Sequence, residues 1–352
     1  MLDILRLNRD AEPPACSAEQ RPEGGWIWRD EAAGVVKSPF VLFLPDGGVG
    51  GSAAGALCGW RGGDGEIVLT DHAGREWEMA WEPRGFAGAG QTLRPAGEWP
   101  IQALPPVRWG RRNLVVLRAG DQSLHPLWLE TMGGVERNWD LCLSYYGDHP
   151  ELWRGQAEYL IPQKGSKFGG LAALIGSQEF LWEYEYIWFP DDDLLIAGAD
   201  INRLFALARR FGLSLAQPSL APGCFVNHRI TEQQPRSLLR FTSFVEIMAP
   251  LFAREALAVV APSFGFNQSG YGLDHLWPAL LGSKSSRVAV LDAIAMVHTR
   301  PMGANYDVEG ASSEGWAVLD RFGLCQRYAT HGVMLGQSEG WERRHGEPSK
   351  RI

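Results

Sequence analysis

The sequence predicts an α/β protein, a mostly parallel sheet flanked by helices with a small all-β module in front of it, and three observations predict it. Residues 1–107 carry short alternating runs broken by glycine turns. From Asn113 onward short apolar strands alternate with helical segments, the pattern of strands joined by helical crossovers. One buried-looking strand, Tyr184–Phe189, ends abruptly in three carboxylates, Asp191, Asp192 and Asp193. A chain of 352 residues, at roughly 150 residues per domain, has room for two units and a large core.

Taken in order, the runs at Trp26–Trp28, Phe40–Leu44, Glu66–Thr70 and Glu76–Trp81 read as antiparallel hairpin strands, with bends at Asp64-Gly65 and Ala73-Gly74. Pro100, Pro105 and Pro106 close this module, and Arg108, Arg111 and Arg112 introduce the second unit, expected over residues 108–302. Its strands are expected at Asn113–Arg118, Trp139–Ser144, Tyr184–Phe189 and Leu213–Gln217. The clearest helix lies between the last two: Asp200 as N-cap, a stripe of Ile201, Leu204, Phe205, Ala208 and Phe211, and Gly212 as the stop. An alternating run follows at Leu239–Ile247, then a helix near Phe252–Val260, another after Asp274, and a strand pair within Val288–His298. Residues 303–352 form a C-terminal extension with one short helix, Ala317–Tyr328.

Composition removes whole classes of function. Hydrophobic residues at 45% and charged residues at 21% exclude disorder, collagen and coiled coil as descriptions of the chain. A net charge of −8 argues against bulk nucleic acid as the partner, because that requires a cationic face. Five cysteines without a C-x-x-C pair indicate neither a disulfide framework nor a zinc knuckle, and reduced cytoplasmic thiols are the simplest reading. The charged first ten residues lack an apolar signal core, and no run of about 18 apolar residues predicts a transmembrane segment. A soluble cytoplasmic protein is expected, with peripheral membrane association and oligomeric state left open. The 42 glycines and 22 prolines exceed the roughly 12% average usage and point to many turns. Fifteen tryptophans suit either sugar stacking or core filling.

The chemistry concentrates in three segments. In open α/β sheets ligands bind beyond the carboxyl ends of strands, so Asp191, Asp192 and Asp193 are placed to face the functional crevice. Adjacent carboxylates repel, and a divalent ion such as Mg²⁺ or Mn²⁺, sharing one or two of them with a substrate phosphate, offsets that cost. A solvated turn is the plain alternative, but such a turn has no need of Tyr186, Ile187, Trp188 and Phe189 behind it. In Ser269-Gly-Tyr-Gly-Leu-Asp274-His-Leu-Trp277 a carboxylate follows a glycine loop, and in isolation it reads as a helix N-cap worth about 1 kcal/mol. The third segment, Val288–Pro301, ends an apolar strand at His298.

In this order the three segments resemble the GT-A glycosyltransferases that use nucleotide sugars. The strand ending in Asp191-Asp192-Asp193 is similar to their D-x-D motif, Gly272-Leu-Asp274 to the acidic motif of inverting members, and His298 to their late metal-site histidine. Residues from about 112 to 302 resemble more closely a plant and bacterial domain of unknown function, number 707. The stretches Asn113–Gly120, Tyr186–Leu194, Phe244–Pro250 and Ser269–Asp274 carry that likeness. The resemblance implies a nucleotide-diphosphate sugar donor, a glycan or glycolipid acceptor in polysaccharide biosynthesis, and Mn²⁺ or Mg²⁺ held by Asp191, Asp193 and His298. It implies Asp274 as the general base of an inverting transfer. Arg118, Lys164, Lys167, Asp191 and Asp192 are candidates for the nucleotide sugar, and Glu246 and Trp277 for the acceptor.

Competing readings are weaker. Gly48, Gly50 and Ala53 match a dinucleotide fingerprint, but no amphipathic helix fits between Gly51 and Trp60. No G-x-S-x-G elbow indicates a hydrolase. A nucleotidyltransferase acting on a sugar phosphate stands second and a non-catalytic carbohydrate-binding protein third.

Overall fold

The computed structural model describes residues 26–31, 33, 35–43, 49–51, 57–63, 66–82, 85–88, 90–95, 104–282, 287–301 and 307–335. They form an α/β structure with two sheets.

The first sheet is wholly antiparallel. Its strands are β1 (Trp26–Asp30), β2 (Val35–Phe43), β3 (Val49–Gly51), β4 (Leu57–Gly63), β5 (Glu66–Asp71), β6 (Glu76–Glu82), β7 (Gly85–Gly88) and β8 (Gln91–Pro95), in the order β3-β2-β1-β8-β7-β6-β5-β4. Alternation explains it: in β5 Ile67, Leu69 and Asp71 turn inward while Glu66, Val68 and Thr70 are more exposed. Trp26, Trp28, Phe43, Trp60 and Phe86 fill this sheet's core, so these rings serve packing. The bend expected at Ala73-Gly74 is present, with Gly74 at φ 76°. Asp64-Gly65 lies outside the described residues. Val49–Gly51 is a strand paired to β2, while Ala53 of the dinucleotide fingerprint lies outside the described residues.

The second sheet collects β9 (Asn113–Ala119), β10 (Trp139–Tyr145), β11 (Tyr159–Pro162), β12 (Tyr186–Trp188), β14 (Leu215–Leu220), β15 (Ser237–Thr242), β16 (Leu251–Ala253), β17 (Val288–His298) and β18 (Thr330–Leu335), with the short β13 (Leu194–Leu195) pairing only β17. The order is β11-β10-β9-β12-β16-β14-β17-β15-β18. Strands β11, β10, β9 and β12 run parallel, as do β14 and β17, but β16, β15 and β18 oppose their neighbours. The sheet is therefore mixed where a mostly parallel one was expected: β16 lies antiparallel between β12 and β14, and β15 joins β17 and β18 antiparallel at the far edge.

Every residue of β9 and β10 is buried, as helices on both faces require. Leu114 and Val116 face a layer holding α2 (Lys167–Ser177), α4 (Arg254–Val260), α5 (Leu273–Leu281) and part of α6 (Val308–Phe322). Val115 and Leu117 face the opposite layer, with α1 (His125–Glu130) and α3 (Gly198–Arg210). The α3 stripe is the expected one, but its N-cap is Ala197; Asp200 sits inside the first turn, bonded to Arg203.

Several boundaries differ from expectation. The run from Leu239 leaves the sheet after Thr242 and continues as buried irregular chain to Pro250. The strand pair within 288–298 is one long strand, β17, with a register shift where β14 meets it. The helix expected at 317–328 runs from Val308 to Phe322, started by Asp307 as N-cap. The segment set apart as a C-terminal extension thus supplies α6, whose Val318 and Phe322 enter the core, and an edge strand of the same sheet. A fully buried bidentate pair, Arg240 Nε to Asp292 Oδ2 at 2.8 Å and Nη2 to Oδ1 at 2.9 Å, ties β15 to β17. No described helix is long and apolar enough to cross a membrane.

Candidate functional site

A cavity of about 1060 Å³ opens where β9, β12 and β17 end. Arg118, Lys167, Asp191, Asp192, Asp193, Glu246, Asp274 and His298 all line it.

The acidic strand end is built from three differently used side chains. Asp192 is turned inward: its Oδ2 accepts from Gly120 N at 2.8 Å and from the Tyr146 hydroxyl at 3.1 Å, so it links the ends of β12 and β9. Asp191 Oδ1 accepts from Lys167 Nζ at 2.6 Å, and the same ammonium donates to the carbonyls of Ile247 and Met248 at 2.8 and 3.1 Å. Burial raises the Asp191 carboxyl above its usual range, and Lys167 opposes that shift. Asp193 is delivered to His298 by the β13–β17 pairing, in which Leu194 lies opposite His298. His298 Nε2 stands 3.6 Å from Asp193 Oδ2, while Asp193 Oδ1 is buried with no hydrogen-bond partner.

Whether this pair suits a divalent ion turns on the chemistry of its donors. His298 Nδ1 lies 3.2 Å from the Phe225 carbonyl, so Nδ1 carries a proton, and Nε2 faces the Asp193 carboxylate either as a second N–H donor or as a free lone pair. A carboxylate facing an imidazole nitrogen, with its other oxygen buried and lacking a donor, suits a cation there, whether a proton on Nε2 or a metal ion. Burial opposes a charge on His298, yet Asp193 outweighs it and the imidazole is raised. The expected trio does not close, however. Lys167 draws Asp191 away, and among the described residues no three His, Cys, Asp or Glu side chains gather into one metal-holding cluster. Asp193 and His298 are the two that fit.

Asp274 is not an N-cap. The cap of α5 is Gly272, at φ 85°, where an added Cβ would stand 2.8 Å from the Gly315 carbonyl. Asp274 occupies the first turn, buried, with Oδ1 accepting from His275 N at 3.0 Å. Desolvation, then the nearby Glu246 charge, push its carboxyl up to about 7. Glu246 is also pushed up to about 7 by burial; Asn227 donates to its Oε1 at 3.1 Å and its Oε2 is buried without a partner. The irregular chain 243–250 is held for this purpose by Glu246 N donating to Gln217 Oε1 at 2.6 Å.

Three expected roles do not match their placement. Trp277 is fully buried, stacked on Phe264 and donating Nε1 to Ser263 Oγ at 2.8 Å, so it offers no face to an acceptor. Its helix position turns it into the core beside Phe252. Lys164 is outside the cavity lining, exposed and bonded to Asp148 and the Tyr146 and Gly147 carbonyls. Arg118 lines the cavity, but its guanidinium is committed to Ser144 Oγ and the Gln163 and Gly165 carbonyls at 2.7–2.9 Å. Gly170 permits this, since a Cβ there would stand 2.7 Å from the Arg118 Cζ.

The cavity also gathers residues that the sequence did not single out: Tyr146, Asn227, His228, His275, Arg300, Trp316 and Tyr328. His228, Phe244, His275 and Tyr328 form a ring cluster with centroids 4.7–5.4 Å apart. Burial holds His275 down at about 4 and lowers His228, leaving both neutral near pH 7. Only Arg300 had a signal, two residues beyond His298.

No family model matches the chain, and no curated protein matches it. Among solved structures it is similar to S. aureus TarS, at 12% identity and TM-score 0.37 over 60% of this chain and 43% of that one. A TarS 1–349 structure in complex with UDP-GlcNAc is 12% identical, at TM-score 0.35, over 60% and 72%. A197 from STIV is 10% identical, at TM-score 0.31, over 54% and 86%. The chain spans under half the length of TarS. At such scores the likeness carries no argument, and function has to be read from the cavity.

Proposed function

We propose that the protein is a nucleotide-sugar-dependent glycosyltransferase of GT-A type that moves a sugar to a glycan hydroxyl with inversion. The observation that carries this reading is the meeting, in one cavity, of the Asp193–His298 acceptor pair with a separate buried carboxylate, Asp274. A binding protein needs neither a cation-seeking pair nor an isolated carboxylate tuned near neutrality.

Asp193 and His298 would hold Mn²⁺ or Mg²⁺, which, when bound, offsets the charge of the departing nucleoside diphosphate. Lys167 fixes Asp191 at the mouth of α2 and adds a positive charge on that side. Asp192 keeps the strand end rigid through Gly120 N. Asp274 takes the proton from the acceptor hydroxyl: at about 7 its carboxyl is ionised in a large share of molecules at neutral pH and is still basic enough to accept. Glu246, with a free buried Oε2, is placed to hold the acceptor hydroxyl beside it.

The test is calorimetric titration of nucleoside diphosphates and nucleotide sugars with Mn²⁺ or with chelator, on wild type and Asp193→Ala. Metal-dependent binding of one nucleotide, absent in the variant, supports the reading. A folded wild type that binds none of them defeats it.

A further inference from the structure

The charges lining the cavity are segregated. Among the described lining residues the cations are Arg118, Lys167 and Arg300, and all belong to the strand-end side: Lys167 on Asp191, Arg300 Nη1 at 3.9 Å from Asp192, and Arg118 holding residues 163–165. Lys167 joins Asp191 to the Ile247 and Met248 carbonyls beside Glu246, Phe244 on the other side of Glu246 packs against His228, His275 and Tyr328, and His275 follows Asp274, so the lining passes from the strand end through Glu246 and Asp274 to Tyr328. Beyond Asp274 the described lining holds acids, neutral imidazoles and two open aromatic rings.

Those rings are set on firm supports. Tyr328 is 45% exposed and packs against His228, Phe244 and His275. Trp316 is 53% exposed on α6. The helix itself is fastened to the loop before Asp274 by Ser269 N donating to Glu314 Oε2 at 2.9 Å, and Gly315 lies against Tyr271 so closely that a Cβ would stand 2.9 Å away. An aromatic face with polar groups around it suits the C–H face of a sugar ring, while a polyanion brought here would meet carboxylates with no cation among the described lining residues beyond Asp274 to offset them.

Resting on the transferase reading, we propose that α6 and the segment after it form the acceptor subsite, and that Trp316 and Tyr328 there select an uncharged glycan over phosphate- or uronate-bearing polymers. The segment that reads in sequence as an appended tail is, on this account, the specificity element.

The experiment uses the full chain with Mn²⁺ and nucleoside diphosphate present, and follows glycan binding by saturation-transfer NMR and calorimetry. The probes are neutral oligosaccharides and, for comparison, oligouronates and alditol-phosphate oligomers. A neutral oligosaccharide is expected to bind with little dependence on salt. Trp316→Ala and Tyr328→Ala are each expected to weaken it about tenfold or more, with nucleotide binding unchanged in both and Tm unchanged in Trp316→Ala. Preference for a polyanion, absence of any neutral ligand, or unchanged affinity in both variants overturns the assignment. The nucleotide titration on the same sample separates the two levels: loss there defeats the transferase reading, whereas failure confined to the glycan arm defeats only the subsite.

Discussion

Asp274→Asn is expected to remove transfer and, at the same time, to stabilise the fold at alkaline pH. The Asp274 carboxyl is raised from 3.8 to about 7 by burial and by Glu246. A carboxyl raised in the folded state contributes stability that is full below its unfolded value and lost as pH climbs to its folded value, here between about pH 4 and 7. Each unit corresponds to about 1.36 kcal/mol, so the wild type gives up roughly 4 kcal/mol across the window, roughly 2 of them between about pH 5.5 and 8.5. The amide does not titrate, so the stability gap between variant and wild type should widen by that amount. At roughly 2 to 4 °C per kcal/mol for a large domain, Tm of the variant gains about 4 to 8 °C on the wild type between the two conditions. Loss of a general base costs roughly 10²- to 10⁴-fold in rate, and the wild-type rate should rise with pH through about 7. Thermal melts at both pH values, paired with release of nucleoside diphosphate, read both effects. A variant that keeps wild-type turnover, or whose stability tracks the wild type at both pH values, refutes the reasoning.

Three further outcomes are expected. Trp277→Ala should cost about 3 to 5 kcal/mol in chemical denaturation, because it empties a fully buried site between Phe252 and Phe264, and should show no acceptor-specific defect once folded. Asp292→Ala leaves the Arg240 guanidinium buried and unpaired, and urea unfolding should report a loss of about 3 to 5 kcal/mol. Gly272→Ala forces a side chain into the left-handed region and toward the Gly315 carbonyl; a destabilisation of at least about 1 to 2 kcal/mol is expected, together with loss of transfer as the first turn of α5 shifts.

The strands β9, β10 and β12 were readable because burial on both faces writes a continuous apolar run, and α3 because its stripe repeats at helical period. Sheet direction was not, since an apolar run such as Leu251–Ala253 looks the same whichever way it points. The acidic strand end was visible as a triplet, but the division of labour within it was not. Only the fold reveals that Gly120 N claims Asp192, that Lys167 claims Asp191, and that Asp193 is left for His298. Trp277 shows the converse: its place beside the acidic motif made it an acceptor candidate, while the helical turn carries its ring into the core. The ring cluster of His228, Phe244, His275 and Tyr328 joins four distant positions and leaves no pattern along the chain.

The placement of α6 and Tyr328 after β17 also fixes an order of assembly. A ribosome delivers Asp191–Asp193 first, then Asp274, then His298, and only after them α6 and Tyr328, which line the same cavity. The cavity that holds the raised carboxyls of Glu246 and Asp274 is thus lined in part by a segment translated after the acids of the strand end and of α5.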